Sequence, residues 1–162
     1  MYDLANLFHI GIRTPDIETS MEELARTMGV TWASVQDEPR SAWVPGEGQI
    51  DIPCKLTYSV EGPVHLELLQ GAPGSIWDGN DLQGAHHFGV WSNDVARDTQ
   101  GLLDNGWTLE LAGTSPENGF GRFTYLRSPT GFLIEPVSIA AKPRFERWWA
   151  GGPLRDPGPP PV

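Results

Sequence analysis

Lysine is nearly missing from this chain. Of 162 residues only Lys55 and Lys142 are lysines, and 21 acidic side chains face 11 basic ones for a net charge of −10. No basic run exists that could neutralise phosphates, so neither nucleic acid nor an anionic membrane is an expected partner. Cysteine is scarcer still. Cys54 stands alone, which excludes an intrachain disulfide framework and fits a reducing cytoplasm. Nothing approaches the roughly 18 continuous apolar residues of a spanning helix. The opening Met1-Tyr2-Asp3-Leu4 has no basic stretch followed by an apolar one, so secretion is not expected either. These absences leave a cytoplasmic globular protein, long enough to bury a real core in one domain or two intimately packed modules.

What is present is a repeat. His9-Ile10-Gly11-Ile12-Arg13-Thr14-Pro15-Asp16-Ile17 returns 78 residues later as His87-Phe88-Gly89-Val90-Trp91-Ser92-Asn93-Asp94-Val95. Pro63-Val64-His65-Leu66-Glu67-Leu68-Leu69 returns 68 residues later as Gly131-Phe132-Leu133-Ile134-Glu135-Pro136-Val137. Each half opens on a strand-borne His and closes on a strand-borne Glu. An internal pseudo-two-fold axis would bring His9, Glu67, His87 and Glu135 together, and such repetition constrains the whole architecture.

Local signals repeat as well. Residues 7–13 alternate as a strand, with His9, Gly11 and Arg13 on one face. Asp16 then caps a helix whose apolar stripe is Ile17, Met21, Leu24, Ala25 and Met28, ended by Gly29. Asp94, Val95, Leu102, Leu103 and Gly106 repeat that design. Short β-type runs follow at 30–32 and 107–109, then strands at 55–60, 64–69, 122–127 and 132–138. Each half therefore reads β-α-β-β-β. Residues 1–70 form the first module, 71–84 a Gly/Asp/Asn-rich joint, and 85–140 the second module. The tail, 141–162, is aromatic at 145–149 and then Gly/Pro-rich. Residues 36–49 and 112–119 lack periodicity and read as loops, and 151–162 as a poorly ordered end.

With these residues in place, the chain resembles the vicinal oxygen chelate superfamily of glyoxalases, bleomycin-resistance proteins and extradiol dioxygenases. Phe8-His9-Ile10-Gly11-Ile12, His86-His87-Phe88-Gly89-Val90 and Gly131-Phe132-Leu133-Ile134-Glu135 are most similar to its methylmalonyl-CoA epimerase-like branch. The likeness covers residues 5–140. It implies an α+β fold, two tandem βαβββ modules making a cupped, U-shaped mixed or antiparallel sheet around a divalent metal, helices outside. Carried over position by position, it implies that His9, Glu67, His87 and Glu135 are the metal ligands, and it implies a homodimer. Glu67 stands where epimerases of this branch often carry Gln and where bacterial glyoxalase I carries Glu.

Two imidazoles and two carboxylates suit Zn, Ni, Co, Mn or Fe in five- or six-coordinate geometry. The alternative is a pair of buried, hydrogen-bonded histidines with rim glutamates, but a buried Glu without a partner is expensive. Alternation sends His86 and His87 to opposite faces, and alignment with His9 selects His87. His65 shares the face of Glu67 and is a lining residue, an acid/base or an extra ligand; Leu133 holds its place in the other half. Gly11 and Gly89 share the faces of the two histidines, leaving room beside a metal or permitting close strand packing. Tyr58 and Tyr125 are proton donors or ordinary wall residues.

The resemblance implies a metal-dependent lyase or isomerase/epimerase working through an enolate of a small substrate with two neighbouring oxygens. Glu135 is the first choice to move the proton, with Glu67 or His65 on the opposite face. Two rivals stand beside it: a non-enzymatic binder that sequesters a drug or metabolite, and an Fe(II) dioxygenase.

Overall fold

Local capping sets the two outer helices. The structure, a computed structural model, describes residues 4–80 and 84–155. In α1 (Ile17–Met28) the Asp16 carboxylate accepts the Thr19 N–H at 2.8 Å, and Gly29 closes the helix with a left-handed φ of 73°. α2 (Val95–Leu103) repeats the entry, Asp94 accepting from Arg97 at 3.0 Å. It stops at Leu103, ahead of Gly106, whose φ of 82° turns the chain towards the next strand.

Among the described residues, ten strands form a single sheet. They are β1 (Leu7–Arg13), β2 (Gln36–Asp37), β3 (Arg40–Val44), β4 (Gly48–Ile52), β5 (Cys54–Tyr58), β6 (His65–Gly71), β7 (Ala85–Ser92), β8 (Thr108–Ala112), β9 (Thr124–Arg127) and β10 (Leu133–Ser138). Their spatial order is β2-β5-β6-β1-β7-β10-β9-β8-β3-β4. β1 and β7 pair antiparallel at the centre, and each has a parallel neighbour from its own half, β6 beside β1 and β10 beside β7. The helices lie outside, where Val90, Leu126 and Ile134 pack against Leu102 and Leu103. The inner face holds the larger core, with Leu56, Leu69, Trp77, Leu111, Leu133 and Val137 all buried. This is the expected α+β cup of mixed sheet.

Chain connectivity brings the two ends of that sheet together. Glu38 and Pro39 alone carry the chain from β2 at one end to β3 near the other, and Pro53 alone returns it from β4 to β5. Consecutive Cα atoms are about 3.8 Å apart, so the cup is nearly a closed barrel. The loop expected at 36–49 is therefore wrong. Residues 40–52 form a hairpin that leaves the first half and joins the second at the Trp43–Ala112 pair. Its inward residues, Ala42, Val44, Ile50 and Ile52, do alternate, and they pack on the main core. By contrast the strand expected at 30–32 reduces to one bridge, Trp32 with Ser59.

The aromatic part of the tail packs on the cup, as its apolar side chains require, and only the segment after it departs from expectation. α3 (Lys142–Trp149) buries Trp148 completely, its Nε1 donating to Ser34 O at 3.0 Å. Beyond it the chain stays tied down through Arg155. Gly152 N–H donates to Arg147 O at 2.9 Å, Leu154 is buried, and Arg155 pairs with Glu38. A buried leucine offsets the ordering of a Gly/Pro segment. The rest of the expected loose end, 156–162, and 81–83 of the joint lie outside the described residues. Among the described residues no helix is long and apolar enough to cross a membrane.

Candidate metal centre

The central β1–β7 pair carries both histidines, and the strands flanking it carry both glutamates. His9 and His87 are fully buried with Nε2 atoms 2.9 Å apart. Glu135 Oε2 lies 3.1 Å from His9 Nε2 and 3.4 Å from His87 Nε2. Glu67 Oε2 lies 3.4 and 3.0 Å from the same two atoms. One donor atom from each of the four residues falls within 4.8 Å of every other. All four come from one chain, so the cup needs no second copy to complete the cluster.

Two glycines make this approach possible. Gly11 sits opposite His87 and Gly89 opposite His9 in the central ladder. A Cβ on Gly11 would meet His87 Cε1 at 1.9 Å, and one on Gly89 would meet His9 Cε1 at 1.9 Å. Each ring therefore lies across the backbone of the other histidine's strand. The space that glycine leaves is filled by imidazole.

Electrostatics explain what such a cluster asks for. Burial pushes Glu135 up, but hydrogen bonds from His87 and His9 and their charges outweigh it and hold the carboxyl down at about 2. Burial pulls His87 down, yet the close carboxylates of Glu135 and Glu67 and their charges raise it to about 9. Glu67 Oε2 is buried with no hydrogen-bond donor in bonding geometry. Two buried carboxylates and an orphaned oxygen are costly without a cation. Ligand atoms about 2.0–2.2 Å from a divalent ion stand about 3 Å apart when adjacent, which matches the 2.9–3.4 Å separations here. The donor set fits a divalent metal.

Tyrosines and a second histidine stand against the rings. Tyr58 OH lies 3.4 Å from His9 Nδ1, and Tyr125 OH 3.4 Å from His87 Nε2. Burial, followed by the charges of the glutamates, keeps both phenols protonated well above their usual range. Strict alternation would turn His86 away, but a bulge intervenes: Gly11 pairs with His87 while Ile12 pairs with Ala85. The extra residue brings His86 Nδ1 to 3.1 Å from His87 Nδ1. Burial, then the neighbouring His87 and Arg13, pulls His86 down to about 2, so it is neutral there. A hydrogen-bond partner on the far nitrogen fixes the ring of a metal-binding histidine.

His65 stands apart from the cluster. Its Nδ1 bonds to Ser59 O at 2.7 Å, and its ring stacks on Trp149 with centroids 3.7 Å apart. Burial lowers its pKa. Cys54 is buried too, its thiol pushed up to about 12 by burial, and is inert at neutral pH.

A cavity of about 210 Å³ opens onto the carboxylates, lined by Glu67, Glu135, Tyr58 and Tyr125 and also by Arg40 and Arg122. The two arginines went unnoticed in the sequence because Arg40 lies on the unforeseen hairpin and Arg122 in an irregular segment. A larger cavity, about 750 Å³, lies at the Arg13 and His86 end of the central strands, and none of the four cluster residues lines it.

Residues 8–125 match the family described as glyoxalase/bleomycin resistance protein/dioxygenase superfamily. No curated protein sequence matches the chain. Among solved structures, a hypothetical protein from Bacillus halodurans is similar at 19% identity and TM-score 0.58, over 82% of this chain and 92% of that one. A Streptomyces coelicolor methylmalonyl-CoA epimerase variant in complex with 2-nitronate-propionyl-CoA is similar at 22% identity and TM-score 0.56, over 84% and 95%. The Mycobacterium tuberculosis methylmalonyl-CoA epimerase follows at 18% and 0.53, over 85% and 92%. The sequence match over most of the chain, joined to this fold, shows that the protein belongs to the glyoxalase/bleomycin resistance/dioxygenase superfamily.

Proposed function

We propose that this protein is a divalent-metal-dependent lyase or isomerase/epimerase that moves a proton on a carbon next to a substrate oxygen. The observation that carries the proposal is the buried quartet of His9, Glu67, His87 and Glu135 around a common centre. These four residues would hold the ion. When bound, a divalent metal polarises a chelated substrate oxygen and makes the neighbouring C–H more acidic.

The chain's own groups supply the rest. Glu135, ionised at neutral pH and lining the small cavity, takes the proton from carbon at a carboxylate oxygen. Glu67 lines the same cavity and is the pseudo-symmetric candidate to return a proton, which an epimerase requires from a second direction. The Tyr58 and Tyr125 hydroxyls, held protonated, serve as donors, and Tyr58 also holds the His9 ring at its far nitrogen, Nδ1. The packed aromatic wall around them excludes water. His65, held by Ser59 and Trp149, supports the wall and takes no proton in this scheme. The epimerases with similar folds support this class of reaction. A homodimer stays part of the proposal, and light scattering measures it directly.

The test combines metal analysis with isotope exchange. Purified protein is expected to hold one divalent ion per chain and to exchange the α-proton of a substrate with solvent deuterium. The panel is α-hydroxy ketones, 2-oxoaldehyde adducts and branched acyl thioesters. Glu135→Gln should keep a weakened ion and lose turnover by about a hundredfold or more. Metal-loaded protein that exchanges nothing on this panel, yet binds a hydrophobic compound unchanged, would establish the sequestering role instead. Tight iron with oxygen consumption would establish the dioxygenase.

A further inference from the structure

The chain is acidic overall, with a net charge of −10, yet the cavity over the cluster is basic. Of nine arginines in the sequence, four line it: Arg40, Arg122, Arg144 and Arg155. Among the described residues, Glu67 and Glu135 are the only carboxylates that do. Formal charge on the lining side chains is thus +2, and a divalent ion held by the two glutamates would raise it to +4. Arg155 is paired with Glu38, but Arg40 projects from β3 with its Nε–H buried and without an acceptor among the described residues. A buried guanidinium N–H left unmet is costly, and a carboxylate or phosphate is the group whose geometry fits it.

The cavity is also small. At about 210 Å³ it falls below the range of roughly 300–1,000 Å³ typical of drug-sized ligands. Phe145 and Leu154, from the chain's own C-terminal segment, form part of its wall. The hairpin that brings Arg40 and the segment that brings Leu154 are the two elements that the repeat does not contain.

We infer that Arg40 and Arg122 form an anion subsite, so that the ligand is small and carries a carboxylate or phosphate besides the pair of oxygens facing the metal centre. This rests on the metal-dependent reading above and narrows its substrate class. Charge focused in a low-dielectric cavity also raises the on-rate for an anion against the repulsion of an acidic surface.

Three hydroxamates test it, each chelating a metal through two neighbouring oxygens: acetohydroxamate without a charged tail, malonohydroxamate with a carboxylate, and phosphonoacetohydroxamate with a phosphonate. Titration calorimetry on the cobalt-loaded full chain is expected to show one charged probe binding at least about tenfold tighter than acetohydroxamate. The preferred tail distinguishes a carboxylate ligand from a phosphate one. Arg40→Gln and Arg122→Gln should each remove most of that advantage and leave acetohydroxamate within about twofold; Arg40→Lys should keep part of it. Equal affinity for all three probes, or an advantage unchanged in both variants, overturns the inference. A chain that retains no cobalt would instead defeat the metal-dependent reading. The subsite is then read on metal-free protein, where malonate or inorganic phosphate should raise the Tm of the wild type and of neither Gln variant; no rise in the wild type overturns it.

Discussion

The two halves of this molecule agree at the candidate metal centre and in the strands and outer helices that carry it, and they differ in what encloses it. His9 matches His87, Glu67 matches Glu135, and Gly11 and Gly89 each accommodate the other half's imidazole. Tyr58 faces Glu67 across the β5–β6 ladder, and the β9–β10 register places Tyr125 opposite Glu135 in the same way. In the elements that enclose the cluster the halves diverge. Only the first carries the hairpin of residues 40–52, which crosses to the second. His65 has Leu133 as its counterpart, and α3 places Trp149 on His65. The lesson is a division of labour: the duplicated parts build a pair of ligand pairs, while the unduplicated parts set what can reach them.

The sharpest way to break the comparison is at the ligands. His9→Ala and His87→Ala should abolish stoichiometric divalent-metal binding equally, leaving folded protein by circular dichroism; a large inequality would mean the halves do not share one ion. His86→Ala should retain the metal with about ten- to a hundredfold weaker affinity, the usual cost of losing the partner behind a ligand. Because His87 is raised to about 9, the metal-free cluster holds a proton at pH 7 that the ion must displace. Calorimetry in buffers of different ionisation enthalpy should therefore find about one proton released per ion, and none released would contradict the shared proton.

The unduplicated plug comes next. Trp148→Ala, at a fully buried position, should cost about 3–5 kcal/mol in urea denaturation. Truncation after Ala150 should also destabilise, since it removes buried Leu154 and the Arg155–Glu38 pair. A melting curve identical to the full chain would show that the segment is dispensable.

Smaller effects test the symmetry of the glycines. Gly11→Ala and Gly89→Ala should each displace the opposing ring, weaken metal binding, and cost about 1–3 kcal/mol as overpacking. Loss in one and not the other would reveal slack on one side of the central pair. The mildest change makes the first half resemble the second. His65→Leu should keep the metal and turnover, and lower stability by about 0.5–1.5 kcal/mol through the lost stack on Trp149. A collapse of turnover at unchanged metal content would give His65 the proton-transfer role instead.

The sequence made much of this visible in specific residues. Asp16 and Asp94 cap the helices as their spacing predicts. The repeated His and Glu motifs lie on adjacent strands and meet at one centre. Both depend on local periodicity and on a duplication that copies whole strands. Three features were not legible. His86 turns inward because a bulge breaks alternation, and nothing in His86-His87 marks a bulge. The hairpin hid because its apolar face is only Ala42, Val44, Ile50 and Ile52, broken by Pro45, Gly46 and Glu47. Leu154 lies in a Gly/Pro-rich stretch whose composition resembles a loose end.

By itself, then, the sequence determined the two outer helices, the central strands and the face on which His9, Glu67, His87 and Glu135 stand. Those follow from caps a few residues away and from the period-two alternation of a strand. Only the tertiary structure decided where the hairpin docks, what the C-terminal segment covers, and that Arg40 and Arg122 line one cavity with the carboxylates. Those depend on the hairpin of the first half docking on β8 of the second through the Trp43–Ala112 pair, a contact between distant residues that no local pattern encodes. Arginines spread along the chain become one basic cavity only when the barrel closes.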